Sequence, residues 1–342
     1  MNNTPYVLRV TAAFFAVIIF FIYGVFALFN NSEPKMRSEP DYVNIFGGFE
    51  LTEAAQASAS GSGAAVTLPA GSGAMPTGST GTVLGKIVKR TIPSNGGNLS
   101  GGGVHISNST DLNVDINELL SSKLGFIIEK GGSPQVLIVH THATETFLNE
   151  DRDYYTSGDR TRTTDNSYNV TALGAIIAEK LNNAGINTLH DKTQHDYPEY
   201  NGSYSRAAKT ITAHLKKYPS IKVVIDIHRD SVQTDTTKTK LVADVGGKNA
   251  AQIMLVMGSQ SGNVKNFPNW KENLKLALRL QKNIEETYPS LARPLSLMSR
   301  SYNEPLTTGS MLIEVGTEAN SFAEAVYSAE LLANSLIKTL GS

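Results

Sequence analysis

The stretch Val136–Phe147 reads VLIVHTHATETF, and it joins an apolar run to a group of potential metal ligands. The aliphatic run predicts a buried strand, and two histidines and a glutamate follow where that strand ends. The runs KVVIDIHRD (222–230) and MLIEVG (311–316) are also strand-like, and they carry His228 and Glu314. Imidazole nitrogens and carboxylate oxygens are typical zinc ligands, so this pattern favours a zinc hydrolase.

The composition narrows the possible functions. The chain has 342 residues, a formal net charge of -1 and no cysteine. A near-neutral charge argues against nucleic acid as a partner, because such proteins usually carry a basic surface. Without cysteine, the chain has no disulfides, no thiolate ligands and no cysteine nucleophile, so any zinc must be held by nitrogen and oxygen. Neither a G-x-S-x-G elbow nor a phosphate-binding P-loop is present.

The second half of the chain alternates strand-like and helical patterns, which predicts an α/β fold. We expect a three-layer αβα sandwich around a mainly parallel or mixed sheet, with the site beyond the carboxyl ends of the strands. Predicted helices cover 169–184, 203–218, 270–288 and 321–340, and predicted strands cover 136–139, 186–189, 223–227, 241–245, 253–257 and 312–315. The strands at 241–245 and 253–257 are expected to form an antiparallel edge.

The first third of the chain has a different character. Val10–Phe29 contains twenty residues without a charge, long enough for a helix that crosses a bilayer. A cleaved signal peptide is the alternative. We predict a membrane anchor at 1–30, a flexible linker rich in Gly, Ser and Ala at 31–111, and a folded catalytic domain at 112–342.

The predicted zinc ligands are His142, Glu145 and His228. His142 and Glu145 have the spacing H-x-x-E, which directs both side chains to a common point on one turn. His228 would supply the third ligand from another strand, leaving a fourth position for water. His140 is an alternative to His142, since both would point the same way if the strand continued. It could instead lie behind the ligands.

Further candidates surround these ligands. Glu314, a carboxylate within an apolar strand, is the predicted general base. Asp165 is the alternative carboxylate ligand, although a helix cap or turn explains it as well. Asp226 lies on the same strand face as His228 and is predicted to orient its imidazole. Arg229 and Asp230 are candidates for contact with substrate.

Several separated motifs resemble those of the stage II sporulation protein P family. They occur in order from about Leu112 to the C-terminus, and they include HTHATETF, NSYNVTALG, HDYPEYNGSYSRA, DIHRDS, NWKENLKLALRL and YNEPLTTGSMLIEVGTEANSFAEAV. The resemblance implies the fold of zinc-dependent N-acetylmuramoyl-L-alanine amidases. It implies cleavage of the amide between the lactyl group of muramic acid and L-alanine, together with endopeptidase activity on peptide cross-links.

The same resemblance implies a biological setting. It implies peptidoglycan as substrate, stage II sporulation proteins D and M as partners, and a role in thinning the septal wall during engulfment. A chain with this role would be a single-pass protein of the septal cytoplasmic membrane, with its catalytic domain outside the cytoplasm. A zinc carboxypeptidase or endopeptidase acting on stem peptides, or a non-catalytic wall-binding scaffold, is the alternative.

The resemblance leaves the carboxylate ligand open. His142, His228 and Glu314 fit the amidase arrangement of two histidines and a late glutamate. In amidases of this type the middle ligand opens the first helix, which corresponds to Asp165. Glu145 instead matches the H-x-x-E of structurally similar zinc carboxypeptidases, and Glu145 is our prediction.

Overall fold

The computed structural model describes residues 81–341. The predicted anchor at 1–30 and the predicted linker as far as residue 80 lie outside this range. Within it, no helix combines the length and the apolar character needed to cross a membrane.

The described region contains strands and helices in alternation, numbered here in chain order. The strands are β1 (Val83–Arg90), β2 (Leu99–Gly101), β3 (Val104–Asn108), β4 (Val136–Val139), β5 (Tyr154–Thr156), β6 (Thr188–His190), β7 (Val223–Asp230), β8 (Thr237–Val245), β9 (Lys248–Ala251), β10 (Ile253–Gly258), β11 (Leu295–Met298) and β12 (Ser310–Thr317). The α-helices are α1 (Ile116–Ser121), α2 (Val170–Asn183), α3 (Ser203–Lys217), α4 (Trp270–Thr287) and α5 (Phe322–Leu340). Short 3-10 helices lie at Ser94–Gly96 and Glu304–Leu306.

The larger sheet has eight strands in the order β2-β3-β11-β10-β12-β7-β4-β6. β12, β7, β4 and β6 run parallel to one another, whereas β10 is antiparallel to β12. The predicted α/β fold with a mixed sheet is therefore confirmed. The carboxyl ends of β4, β7 and β12 meet at one edge, where ligand sites of such sheets form.

Both faces of this sheet are packed. On one face Ile138, Ile225 and Ile313 belong to the main core, which α2, α4 and α5 cover. On the other face Leu137 and Val139 pack with Ile211 of α3. The helices begin and end where the sequence predicts, because local signals determine these positions. Ser321 and Glu324 form the predicted capping box of α5, and Gly185 follows α2 with a φ of 82°.

A second sheet of four strands has the order β5-β1-β8-β9. The predicted antiparallel edge of 241–245 and 253–257 is therefore wrong. β8 belongs to the second sheet, while β10 lies inside the larger one between β11 and β12. β8 pairs instead with β9 across Gly246 and Gly247, whose positive φ values of 61° and 76° allow a tight turn.

The folded region begins before residue 112. β1 pairs with β5 and β8, and β3 pairs with β11, so part of the segment predicted to be a linker belongs to the sheets. These strands are short and flanked by Gly and Ser, so composition alone gives them the character of a linker. Their partners lie far away in the sequence and leave no local signal.

Candidate active site

The candidate site lies at the carboxyl ends of β4, β7 and β12. Glu314 is the register partner of His228 on the neighbouring strand, and Asp226 is paired with Val139 on the other side. Because side chains alternate along a strand, Asp226, His228 and Glu314 share the face opposite the main core. Three separate segments thus place polar side chains at one edge.

His228 lies between two carboxylates. Its Nδ1 is 3.5 Å from Glu145 Oε2, and its Nε2 is 2.9 Å from Asp226 Oδ1. The second contact is short, but its angles are not those of a hydrogen bond. Burial alone lowers the pKa of His228, yet the charges of Asp226 and Glu145 outweigh it and raise the pKa well above its usual value.

His142 lies beside His228, with the two rings edge to face and their centroids 5.3 Å apart. The ring of Tyr200 stacks on His142 at 4.5 Å, and its hydroxyl lies 3.2 Å from His142 Nε2. Ser203 Oγ is 3.4 Å from Nδ1. Burial lowers the pKa of His142 to about 3, so this imidazole is neutral at physiological pH, the form in which histidine binds metal.

Glu145 is a buried carboxylate with several cationic or donor neighbours. The backbone N–H of Arg229 donates to its Oε2 at 3.1 Å, and Arg162 Nη2 lies 3.7 Å from its Oε1. Burial raises the pKa of Glu145, but His228 and the arginine at position 229 more than compensate and lower it to about 2. The side chain is therefore ionised, as a metal ligand must be.

Glu314 has the opposite character. Its side chain is 8% exposed, and its Oε2 has no hydrogen-bond partner within the described residues. Burial and the charge of Asp230 raise the pKa of Glu314 to about 8. A carboxyl that titrates near neutral pH can take and return a proton during a reaction.

His140 does not join this group. Strand β4 ends at Val139, so the expected alternation does not continue to the histidines. The Nδ1–H of His140 donates to Ile227 O at 3.1 Å, and its Nε2 is 2.8 Å from His190 Nε2. Because Nδ1 carries the hydrogen in the neutral ring, Nε2 accepts from His190. Its pKa is lowered to about 4 by burial.

The other predicted residues have structural contacts. Asp165 is exposed, and its carboxylate accepts a hydrogen bond from Ser167 N in a local turn. Arg229 is 6% exposed and donates to the carbonyls of Thr146 and Thr161. Asp230 accepts from the buried Arg293 at 2.8 Å. In the structure Arg229 and Asp230 therefore support the site from behind.

Two of the three predicted ligands have a separation suited to a shared zinc ion. Two ligands at about 2.05 Å from zinc in a tetrahedral arrangement lie roughly 3.3 Å apart, and Glu145 Oε2 and His228 Nδ1 are 3.5 Å apart. The nitrogens of His142 face Tyr200 and Ser203 instead. Accordingly, residues 81–341 contain no group of three or more His, Asp or Glu already arranged to hold a metal.

Sequence reasoning missed the aromatic and cationic surroundings of His142. Arg162 lies over the Tyr200 ring at 4.6 Å and forms an ion pair with Asp196 at 2.5 Å. Tyr204 contacts His142 edge to face at 5.6 Å. Tyr200 and Tyr204 come from the segment DYPEYNGSY (196–204), whose dense tyrosines are the one signal that marks it in the sequence.

The fold and site define an α/β protein with buried histidines and carboxylates at the edge of a mixed sheet. A family model for Stage II sporulation protein P (SpoIIP) matches residues 104–337. The chain belongs to this family, as its motifs indicate. Stage II sporulation protein P of Bacillus subtilis (strain 168) is 31% identical over 206 residues, which cover 57% of this chain and 48% of that protein. The match thus spans about half the length of that relative.

Similarity to solved structures is weaker. The CwlD amidase from Clostridioides difficile, solved in complex with the GerS lipoprotein, is 10% identical with a TM-score of 0.39, over 61% of this chain and 99% of that one. The apo form of the N-acetylmuramyl-L-alanine amidase Ami1 from Mycobacterium abscessus is 13% identical with a TM-score of 0.35, over 62% and 98%. Similarity at this level does not establish a common fold.

Proposed function

We propose that this protein is a peptidoglycan hydrolase that cleaves the amide between the lactyl group of muramic acid and L-alanine during sporulation. Membership of the stage II sporulation protein P family supports the substrate class and the setting. The observation that carries the proposal is the convergence of His228, Glu145 and Glu314 at one sheet edge. Cleavage of peptide cross-links by the same site is part of the proposal.

We further propose that His142, Glu145 and His228 hold a zinc ion. The donor types fit, and one pair already has a suitable separation. His142 would have to exchange its contacts with Tyr200 and Ser203 for the metal. When bound, zinc would polarise the amide carbonyl and lower the pKa of a water molecule.

The residues behind His228 keep its ring in place. Thr141 donates to both oxygens of Asp226, from its backbone N at 2.8 Å and from its hydroxyl at 2.5 Å. Asp226 is thereby fixed beside Nε2 of His228. This arrangement leaves Nδ1 directed at Glu145, and a carboxylate partner of this kind both orients a histidine ligand and raises its basicity.

Glu314 is the proposed general base and acid. It would take a proton from the attacking water and return it to the leaving amide nitrogen, so that the same carboxyl serves both halves of the reaction. Its free Oε2 and its pKa of about 8 support this role. Burial keeps competing hydrogen-bond partners away from the carboxyl.

The cellular setting is also a proposal. Val10–Phe29 would anchor the chain in the cytoplasmic membrane, with the catalytic domain outside, where peptidoglycan lies. Stage II sporulation proteins D and M are the proposed partners, as the family implies.

The decisive experiment is product analysis with purified muropeptides. An amidase releases the intact stem peptide and leaves a free lactyl group on the sugar, whereas a carboxypeptidase trims the peptide and leaves the sugar attached. His142→Ala and His228→Ala should abolish release while the thermal unfolding transition is retained. Full hydrolysis by both variants would rule out the site, and a trimmed peptide still attached to the sugar would rule out the amidase activity.

A further inference from the structure

Aromatic rings continue outward from His142 along one side of the site. The Tyr204 ring lies 5.6 Å from that of His142, and the Tyr302 ring lies 6.2 Å from that of Tyr204. We call Tyr200, Tyr204 and Tyr302 the tyrosine wall. Each of the three is partly exposed, so a molecule in the site can reach them.

Tyr302 is held in an unusual backbone conformation. Tyr302 and Asn303 have positive φ values of 48° and 61°, which residues with a Cβ rarely adopt. Several contacts maintain this turn: Asn303 Nδ2 donates to Tyr204 O at 2.9 Å, and Glu304 Oε2 accepts from Gly258 N at 2.9 Å. Strain that is maintained by so many contacts is characteristic of functional positions. The asparagine contact also ties the Tyr302 turn to the start of α3.

Beneath Tyr302 lies an apolar floor. Met254, Val256 and Leu312 form a buried cluster on this face of the sheet, and Tyr302 packs against it. The acid closest in sequence, Glu304, is buried, which raises its pKa well above the usual value. This side of the site is therefore apolar and aromatic, with little negative charge near neutral pH.

The opposite side of the site is charged. Arg162 pairs with Asp196 at 2.5 Å, and Arg293 pairs with Asp230 at 2.8 Å. A muramoyl amide has two unlike halves: a stem peptide with ionised groups and an uncharged sugar. The charged side of the site suits the peptide, and the uncharged aromatic side suits the sugar.

We infer that the tyrosine wall binds a pyranose ring of the glycan strand, next to the amide that is cleaved. This inference rests on the proposed function. A pyranose presents C–H groups on its faces and hydroxyls at its rim. Tyrosine offers a matching apolar face with a polar tip. The wall thus gives the substrate a direction, with the glycan towards Tyr302 and the peptide towards Arg162.

The test compares two probes on the full chain with Glu314→Gln to prevent turnover. One probe is a disaccharide tetrapeptide, and the other is the lactoyl tetrapeptide that lacks the sugars. Binding is measured by calorimetry for Tyr204→Leu, Tyr302→Leu and the corresponding Phe variants. The exposed Tyr154 of the second sheet, changed to Leu, is the matched control.

Each Leu variant should bind the disaccharide probe about tenfold more weakly, while binding of the lactoyl peptide stays unchanged. The Phe variants keep the flat ring and should bind both probes as the parent does. Equal weakening of both probes by the Leu variants would mean that the wall binds peptide and would overturn the inference, as would unchanged binding of both. A parent chain that binds neither probe would overturn the proposed function as well.

Discussion

Glu145 Oε2 lies 3.5 Å from His228 Nδ1, across the junction of a loop and a strand. The same imidazole has Asp226 2.9 Å from its other nitrogen. Two carboxylates around one ring stabilise the imidazolium, which explains the raised pKa of His228. A metal at Nδ1 would replace the proton there and leave Asp226 as the partner of Nε2.

Asp226→Asn should weaken zinc binding by about 10- to 100-fold, because the histidine loses the partner that orients it and raises its basicity. Affinity is measured by competition with a chromophoric chelator. Asp191→Asn is the control, since Asp191 also pairs with a histidine, His214, at 2.8 Å on another part of the molecule. Equal losses in both variants would show a general effect on folding.

Glu145→Gln and Asp165→Asn distinguish the two candidate carboxylate ligands. Glu145 is buried beside His228, whereas Asp165 is exposed in a turn. We expect the first variant to lose tightly bound zinc and the second to keep one zinc per chain, as measured by metal analysis after gel filtration. The reverse result would assign the ligand to Asp165 and would require the loop before α2 to move.

Glu314→Gln should reduce the rate of amide cleavage by about 10²- to 10⁴-fold, because the amide side chain cannot take up a proton. Zinc content should not change, since Glu314 is not a ligand in our proposal. Glu285→Gln provides the control: burial also raises the pKa of this acid, but it lies on α4 and accepts from Gln281. Loss of zinc from Glu314→Gln would argue for a ligand instead of a general base.

The sequence predicts the elements around the site well, because their signals are local. The strand predicted at 136–139 is β4, and the helix predicted at 169–184 is α2, one residue shorter at each end. Apolar periodicity and the Asn169 cap suffice for both predictions. His142, Glu145 and His228 come together for the same reason, since each follows or ends a recognisable strand.

The neighbours of these residues depend on tertiary contacts that no local pattern records. His140 and His142 are two residues apart, yet they face different partners, because β4 ends at Val139 and the alternation stops there. The stacking of Tyr200 on His142 joins two segments across the site. Such pairings follow from the fold as a whole and leave no period in the sequence.

Gly174→Ala tests whether His140 belongs to the core. A Cβ at position 174 would lie 2.6 Å from His140 Nε2 and 2.7 Å from His190 Nε2. Alanine normally stabilises a helix, but here overpacking should destabilise the protein by about 1–3 kcal/mol. Denaturant unfolding measures the change, with Gly125→Ala as the control because its nearest atom lies at 3.4 Å. A gain in stability at position 174 would contradict this packing.

Glu304→Gln tests the charge state of the carboxyl beneath the tyrosine wall. Glu304 is 1% exposed, and burial raises its pKa well above the model-compound value of 4.5. The folded state therefore keeps a proton that the unfolded chain releases, so the wild-type protein loses stability as pH rises above about 4.5, by roughly 1.4 kcal/mol per pH unit until the folded pKa is reached. Glutamine does not titrate.

The stability of Glu304→Gln relative to wild type should therefore increase steadily from pH 4.5 upward, as measured by urea unfolding at a series of pH values. Glu179→Gln makes the same chemical change at an exposed position of α2 and should follow the wild type at every pH. If the difference between Glu304→Gln and wild type stayed constant across the series, Glu304 would be ionised in the folded protein, and a negative charge would lie beneath the tyrosine wall.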